Sequence, residues 1–136
     1  MTALCRSIFT RYRIPAHRVL GHSDVAPSRK QDPGEKFPWR ILHDSGIGMW
    51  VKPTPPSQTG PIYVLGESNP TITEVQTLLN RYGYAVNVTG YLDGTTRDAI
   101  AAFQRHFRPT RVDGVLDAST VSTLRALIEA RDDLIA

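Results

Sequence analysis

Two stretches of seven residues, spaced twenty-four positions apart, restrict what this chain can fold into more than any other feature: Gly90-Tyr91-Leu92-Asp93-Gly94-Thr95-Thr96 and Gly114-Val115-Leu116-Asp117-Ala118-Ser119-Thr120. In each copy a glycine permits a tight turn, an apolar pair can pack inward, and an aspartate can cap a following helix. Apolar residues recur at helical spacing after both turns. Ala99, Ile100, Phe103 and Phe107 predict a helix from about Thr95 to His106; Val121, Leu124, Leu127 and Ile128 predict another from about Ser119 to Arg131. A helix is also expected before the first turn, with Thr71 and Glu74 as a capping box, Val75, Leu78, Leu79 and Tyr82 on one face, and Gly83 as its stop.

Upstream the character of the chain changes. Residues 51–66 hold four prolines among Thr, Ser and Gly, which predicts an extended, semi-rigid spacer between two units. Residues 67–136 form one unit and residues 1–50 the other. In the latter, Leu4, Cys5, Ile8, Phe9 and Tyr12 lie at helical spacing, and Ile14-Pro15 ends that helix. Arg18 to Gly21 reads as a short strand, and Phe37 to Leu42 as a short helix opened by Pro38. A helix, a strand and a short helix bury too little apolar surface to stand alone, so they are expected to be the tail of a larger domain. The expected class is mainly α: a helix–strand–loop–helix α/β fragment followed by a three-helix domain.

Between the strand and the short helix lies the chain's densest chemistry. Residues 21–34, GHSDVAPSRKQDPG, bring one imidazole, two carboxylates and basic side chains together between two glycines. Pro33 biases Asp32 towards extended backbone, and alternation would then put Lys30 and Asp32 on one side. His22 and Asp32 are usable zinc ligands, but a hydrolytic zinc takes three protein ligands and a water. From residue types alone, a solvated turn with a surface histidine is the favoured reading. Asp24 is expected to orient the loop through backbone N–H groups. His17 is expected on the surface, His43 is a remote candidate for a third ligand, and His106 should sit at a helix end, where a partly positive imidazole suits the dipole.

The single cysteine, Cys5, excludes an intrachain disulfide and a four-thiolate zinc site. No apolar run approaches the length of a membrane span, and Arg6, Arg11 and Arg13 break any signal-peptide core in the first thirteen residues. Residues 1–66 carry nine Lys/Arg against four Asp/Glu, and residues 67–136 carry seven against nine. The basic first half lacks the Arg/Lys stripe interleaved with aromatics that nucleic acid favours, whereas an anionic wall polymer suits it equally well.

The order and spacing of Gly21-His22-Ser23-Asp24, Ala26-Pro27, Arg29-Lys30 and Asp32-Pro33-Gly34 resemble the C-terminal zinc motif of the phage-lysozyme-like N-acetylmuramoyl-L-alanine amidases. That resemblance implies that His22 and Asp32 are zinc ligands and that Lys30 is the cation beside the reacting carbonyl. The family's other His ligand and its Glu base lie upstream of this motif, so the resemblance implies a zinc site that is incomplete within these residues. Val75-Gln76, Leu79, Gly83-Tyr84, Gly90, Thr96, Ala99, Phe103-Gln104, Val112-Asp113-Gly114 and Thr120 resemble the three-helix peptidoglycan-binding module attached to many wall hydrolases. Asp93-Gly94 stands where that module more usually has Gly-Pro. This second resemblance implies peptidoglycan or muropeptides as partners and a place in the cell envelope. Tyr84, Tyr91, Arg97 and Asp113, near the repeated turns, are the expected wall-binding side chains. The alternative expectation is a non-catalytic wall-binding protein.

Overall fold

Each repeated turn is closed by a buried glutamine that bonds four groups. Gln76 Oε1 accepts from the backbone N–H of Thr89 (2.9 Å) and Gly90 (2.8 Å), while its Nε2 donates to Tyr91 O (2.9 Å) and Thr96 Oγ1 (3.0 Å). Gln104 repeats the pattern on Asp113 N–H (3.0 Å), Gly114 N–H (2.9 Å), Val115 O (2.9 Å) and Thr120 Oγ1 (3.0 Å). Asp93 and Asp117 then cap the following helices, each accepting from the backbone N–H three residues on (Thr96 and Thr120) at 2.8 Å. The turn glycines Gly90 and Gly114 have φ of +79° and +72°, a region where a side chain is strained. Both glutamines are fully buried, and the fourfold bonding removes the cost that an unpaired buried amide would carry.

The computed structural model describes residues 2–57 and 59–135, with the backbone alone for Phe9 and Thr10; the part of the N-terminal apolar stripe that falls on Phe9 lies outside the described side chains. Six α-helices occur among the described residues: α1 (Thr2–Arg11), α2 (His22–Val25), α3 (Trp39–Asp44), α4 (Pro70–Tyr82), α5 (Gly94–Phe107) and α6 (Ala118–Ile135). Strands β1 (Ile62–Tyr63) and β2 (Leu116–Asp117) pair antiparallel, with Ile62 opposite Asp117 and Tyr63 opposite Leu116. The chain is therefore mainly helical with one two-stranded ribbon.

The inward faces expected of α4, α5 and α6 form the main core, where Leu79, Phe103, Phe107 and Leu127 are fully buried. The start of α4 differs from expectation. Asn69 is the N-cap, its side chain accepting from Thr71 N–H at 2.8 Å, and Pro70 opens the helix. Glu74 instead takes a two-pronged bond from Arg125 of α6, at 2.6 and 2.8 Å. Proline needs no N–H partner in the first turn, so Asn-Pro starts a helix better than the Thr-x-x-Glu pattern that it displaces.

The Pro-rich segment lies along this core. Thr54 donates its N–H to Thr123 Oγ1 (3.1 Å) and its hydroxyl to Ser122 Oγ (3.0 Å), and its carbonyl accepts from Ser119 Oγ. Tyr63 packs against the core through β1, while Val64 and Leu65 stay exposed.

In the first fifty residues, Trp39, Leu42 and Ile47 form a second small cluster, against which Cys5, Val19, Phe37 and Trp50 pack. Trp50 also packs on the main core, and Met49 belongs to it. The expected helix α1 forms but is only partly covered: Cys5 packs on the small cluster, while Leu4 is 65% exposed and Tyr12, just past the helix, 63%. One expectation fails. Residues 18–21 are not a strand: a 3₁₀ turn (Ala16–Arg18) leads into extended but unpaired Val19 and Leu20. A short apolar run becomes a strand only where another edge meets it, and no described residue offers one.

Replacing Gln104 by Ala would strand two backbone N–H groups, a carbonyl and the Thr120 hydroxyl. We expect a stability loss of about 3 kcal/mol, read as a lower urea midpoint at unchanged m-value; a loss within error would show that the glutamine clamp does not hold the turn.

Candidate metal-binding loop

The loop is shaped by contacts between its two arms. Ser23 N–H donates to Asp32 O at 3.0 Å, and a Cβ added to Gly21 would fall 2.5 Å from Pro33 Cδ and 3.4 Å from the Trp39 ring. Only glycine lets the arms approach so closely. Gly21 is the N-cap of α2, and Asp24, three residues on, accepts its N–H at 2.9 Å, half of a capping box. The four-residue α2 is too short to hold itself as a helix in water, so its geometry comes from these partners.

His22 and Asp32, ten residues apart, meet as a result: Nδ1 and Oδ2 lie 2.7 Å apart. An ionised carboxylate only accepts, so in this contact Nδ1 carries the hydrogen. The two side chains are 72% and 61% exposed. The hydrogen bond from His22 holds the Asp32 carboxyl below its ordinary range, with the Lys30 charge a smaller contributor. Lys30 is exposed two residues before Asp32, on a turn where its N–H donates to Ala26 O at 2.9 Å.

Once the hydrogen between them is lost, the His22 Nδ1 and Asp32 Oδ2 that converge at the surface are suitable donors for a zinc ion. They fit two ligand positions. Among the described residues, no group of three His, Cys, Asp or Glu side chains could hold a metal. His43 does not join the pair: its Nδ1 lies 3.1 Å from Gly48 O, within its own turn. His17 is half-buried, not on the surface as expected, and burial, then Arg131 and Arg18, keep its pKa low.

The sharpest departures concern Tyr84 and His106. Tyr84, expected as an exposed wall contact, is buried at 3% exposure, and its hydroxyl donates to Asp24 Oδ1 at 2.6 Å. Burial and the neighbouring Asp24 push its pKa up, so it stays a donor. His106 lies in the last turn of α5 as expected, but it is buried there, at 2% exposure. Its Nδ1 lies 2.7 Å from Asp24 Oδ2, and its ring stacks between Trp39 and Phe107 at 3.8 Å from each. Asp24 does bond backbone as expected, but it also joins the loop to α5 and to the segment after α4. These contacts span 60 and 82 positions, so no local pattern could have announced them.

The other three expected wall contacts stay accessible. Tyr91 is 48% exposed on the first turn. Arg97 lies over the second, its Cγ 2.9 Å from where a Cβ on Gly114 would be. Asp113 is exposed in that same turn, with Oδ1 accepting from Val115 N–H at 3.0 Å.

Residues 68–124 match the family model of a peptidoglycan binding domain. The chain is homologous to N-acetylmuramoyl-L-alanine amidases: it is 41% identical to AmiD of Escherichia coli over 132 residues, 93% of this chain and 45% of that protein. It is 42% identical over 43 residues to the 1,6-anhydro-N-acetylmuramyl-L-alanine amidase AmpD of Enterobacter cloacae, 32% of this chain and 23% of that one. Among solved structures, E. coli AmiD in complex with anhydro-N-acetylmuramic acid-L-Ala-D-gamma-Glu-L-Lys superposes with a TM-score of 0.73 at 35% identity, covering 95% of this chain and 49% of that one. AmpDh3 of Pseudomonas aeruginosa matches with a TM-score of 0.73 at 31% identity, covering 95% and 50%. The chain thus spans about half the length of AmiD and of AmpDh3.

Gly21→Ala should force the two arms of the loop apart at a cost of about 1–3 kcal/mol. Wild-type-like stability, with His22 and Asp32 still in contact by NMR, would show that the close approach is not required.

Proposed function

We propose that this chain is the C-terminal portion of a zinc-dependent N-acetylmuramoyl-L-alanine amidase of the cell envelope, joined to a three-helix peptidoglycan-binding module. Its substrate is the amide between the muramic acid lactyl group and the L-alanine of the stem peptide. The observation that carries this reading is the approach of His22 and Asp32 to 2.7 Å, in a chain 41% identical to AmiD over 93% of its length.

His22 and Asp32 are the residues that would hold the metal. Zinc, when bound, supplies a water of lowered pKa and polarises the scissile carbonyl. Lys30, exposed beside Asp32, is placed to counter charge growing on the carbonyl oxygen as the tetrahedral intermediate forms. Tyr91, Arg97 and Asp113 offer an aromatic face, a cation and an anion to wall polymer around the two turns. Holding the wall there raises the effective concentration of substrate at the loop. A wall-binding protein without catalysis is the second reading, favoured by the two-donor character of the metal pair.

Two assays test these readings. The 136-residue chain should co-sediment with insoluble peptidoglycan at low salt, less so as Arg97→Ala, and should take up zinc weakly without cleaving muropeptides. Retention in the supernatant would remove the wall-binding reading. Stoichiometric zinc with cleavage abolished by His22→Ala would show that the site is complete within the chain.

A further inference from the structure

We infer that the peptidoglycan-binding module also positions the metal-binding loop, acting through the Asp24 carboxylate, so that Asp24, Tyr84 and His106 are positioning residues for His22 and Asp32. This rests on the reading that the latter two hold the metal, and it gives the module a second task besides tethering.

Asp24 is 3% exposed, and a buried carboxylate is tolerated only when its oxygens are well bonded. Its three partners are Gly21 N–H in its own loop, and Tyr84 Oη and His106 Nδ1 in the module. Two of three bonds thus come from outside the loop. The module donors are themselves fixed: the Tyr84 ring stacks with Tyr82 at a centroid distance of 6.1 Å, and His106 is held between Phe107 of α5 and Trp39 of α3. Trp39 also lies against Gly21, so one stack of rings braces both Gly21 and, through His106, Asp24.

The link to the ligands is short. Asp24 closes α2 by accepting from its N-cap, His22 is the first residue of α2, and Ser23 N–H holds Asp32 O. Removing the module's donors would leave a buried carboxylate underbonded, and α2 would open to let water reach it. Every group needed for this coupling is already in contact, so no conformational change is invoked.

The test is amide hydrogen exchange by NMR on the full chain and on Tyr84→Phe, which removes one hydroxyl and keeps the ring. The loop reporters are Ser23 and Ala26, whose N–H groups donate to Asp32 O and His22 O at 3.0 and 2.8 Å; Phe103 and Leu124 report on the module core. The expected result is exchange faster by about ten-fold or more at Ser23 and Ala26, with Phe103 and Leu124 unchanged and the His22 ring resonances shifted. His106→Gln, which alters the second donor, is read in the same way should Tyr84→Phe fold poorly. Unchanged loop exchange, or equal acceleration at all four amides, would overturn the inference. Neither zinc nor substrate is needed, so failure of the amidase reading would show only in the zinc and wall assays.

Discussion

The structure depends most on a single buried carboxylate. Asp24 sits where a four-residue helix from the first half of the chain meets α5 and the segment after α4, and it takes one bond from each of three places. Without that junction the loop bearing His22 and Asp32 would have almost no core of its own. The small cluster of Trp39, Leu42 and Ile47 is too little apolar surface to hold fifty residues. The first half is stable because it borrows the module's surface, through Trp39 on His106 and through Met49 and Trp50 on the main core.

The module solves its own problem differently. Two turns with positive-φ glycines expose backbone N–H and C=O groups inside the fold, and one glutamine per turn satisfies three of them and a threonine hydroxyl besides. A buried ion pair strengthens the second copy. Arg108, fully buried, forks onto both oxygens of Asp117 at 2.5 and 2.7 Å. Burial pushes the Asp117 carboxyl up, but the bonds from Arg108 and Thr120 outweigh it and hold it below its ordinary range. The first copy has no such arginine, and its Asp93 is held low chiefly by the Thr96 N–H.

Much of the module was legible in the sequence because its information is local. Helical spacing located the inward faces of α4, α5 and α6, and the repeated turns located the caps of α5 and α6. The glutamines stand out only as part of a family pattern; nothing in Gln76 or Gln104 alone announces a four-bond clamp. The first half was harder to read. Val19-Leu20 has strand composition but finds no partner edge, and the apolar side chains of α1 point largely to solvent. Tyr84 was misplaced and the burial of His106 went unread for one reason: a tyrosine after a helix-ending glycine and a histidine at a helix end give no local sign of burial until a carboxylate 60 or 82 residues away claims them. The candidate metal loop, by contrast, is written in fourteen consecutive residues, although its placement also draws on the long-range bonds of Asp24.

If the first half borrows its stability from the module, the two cannot melt apart. Differential scanning calorimetry of the whole chain tests this most directly. The account predicts one transition whose calorimetric and van't Hoff enthalpies agree, with loop and module signals lost together. Two resolved transitions, with the His22 loop melting well before the α4–α6 core, would contradict it.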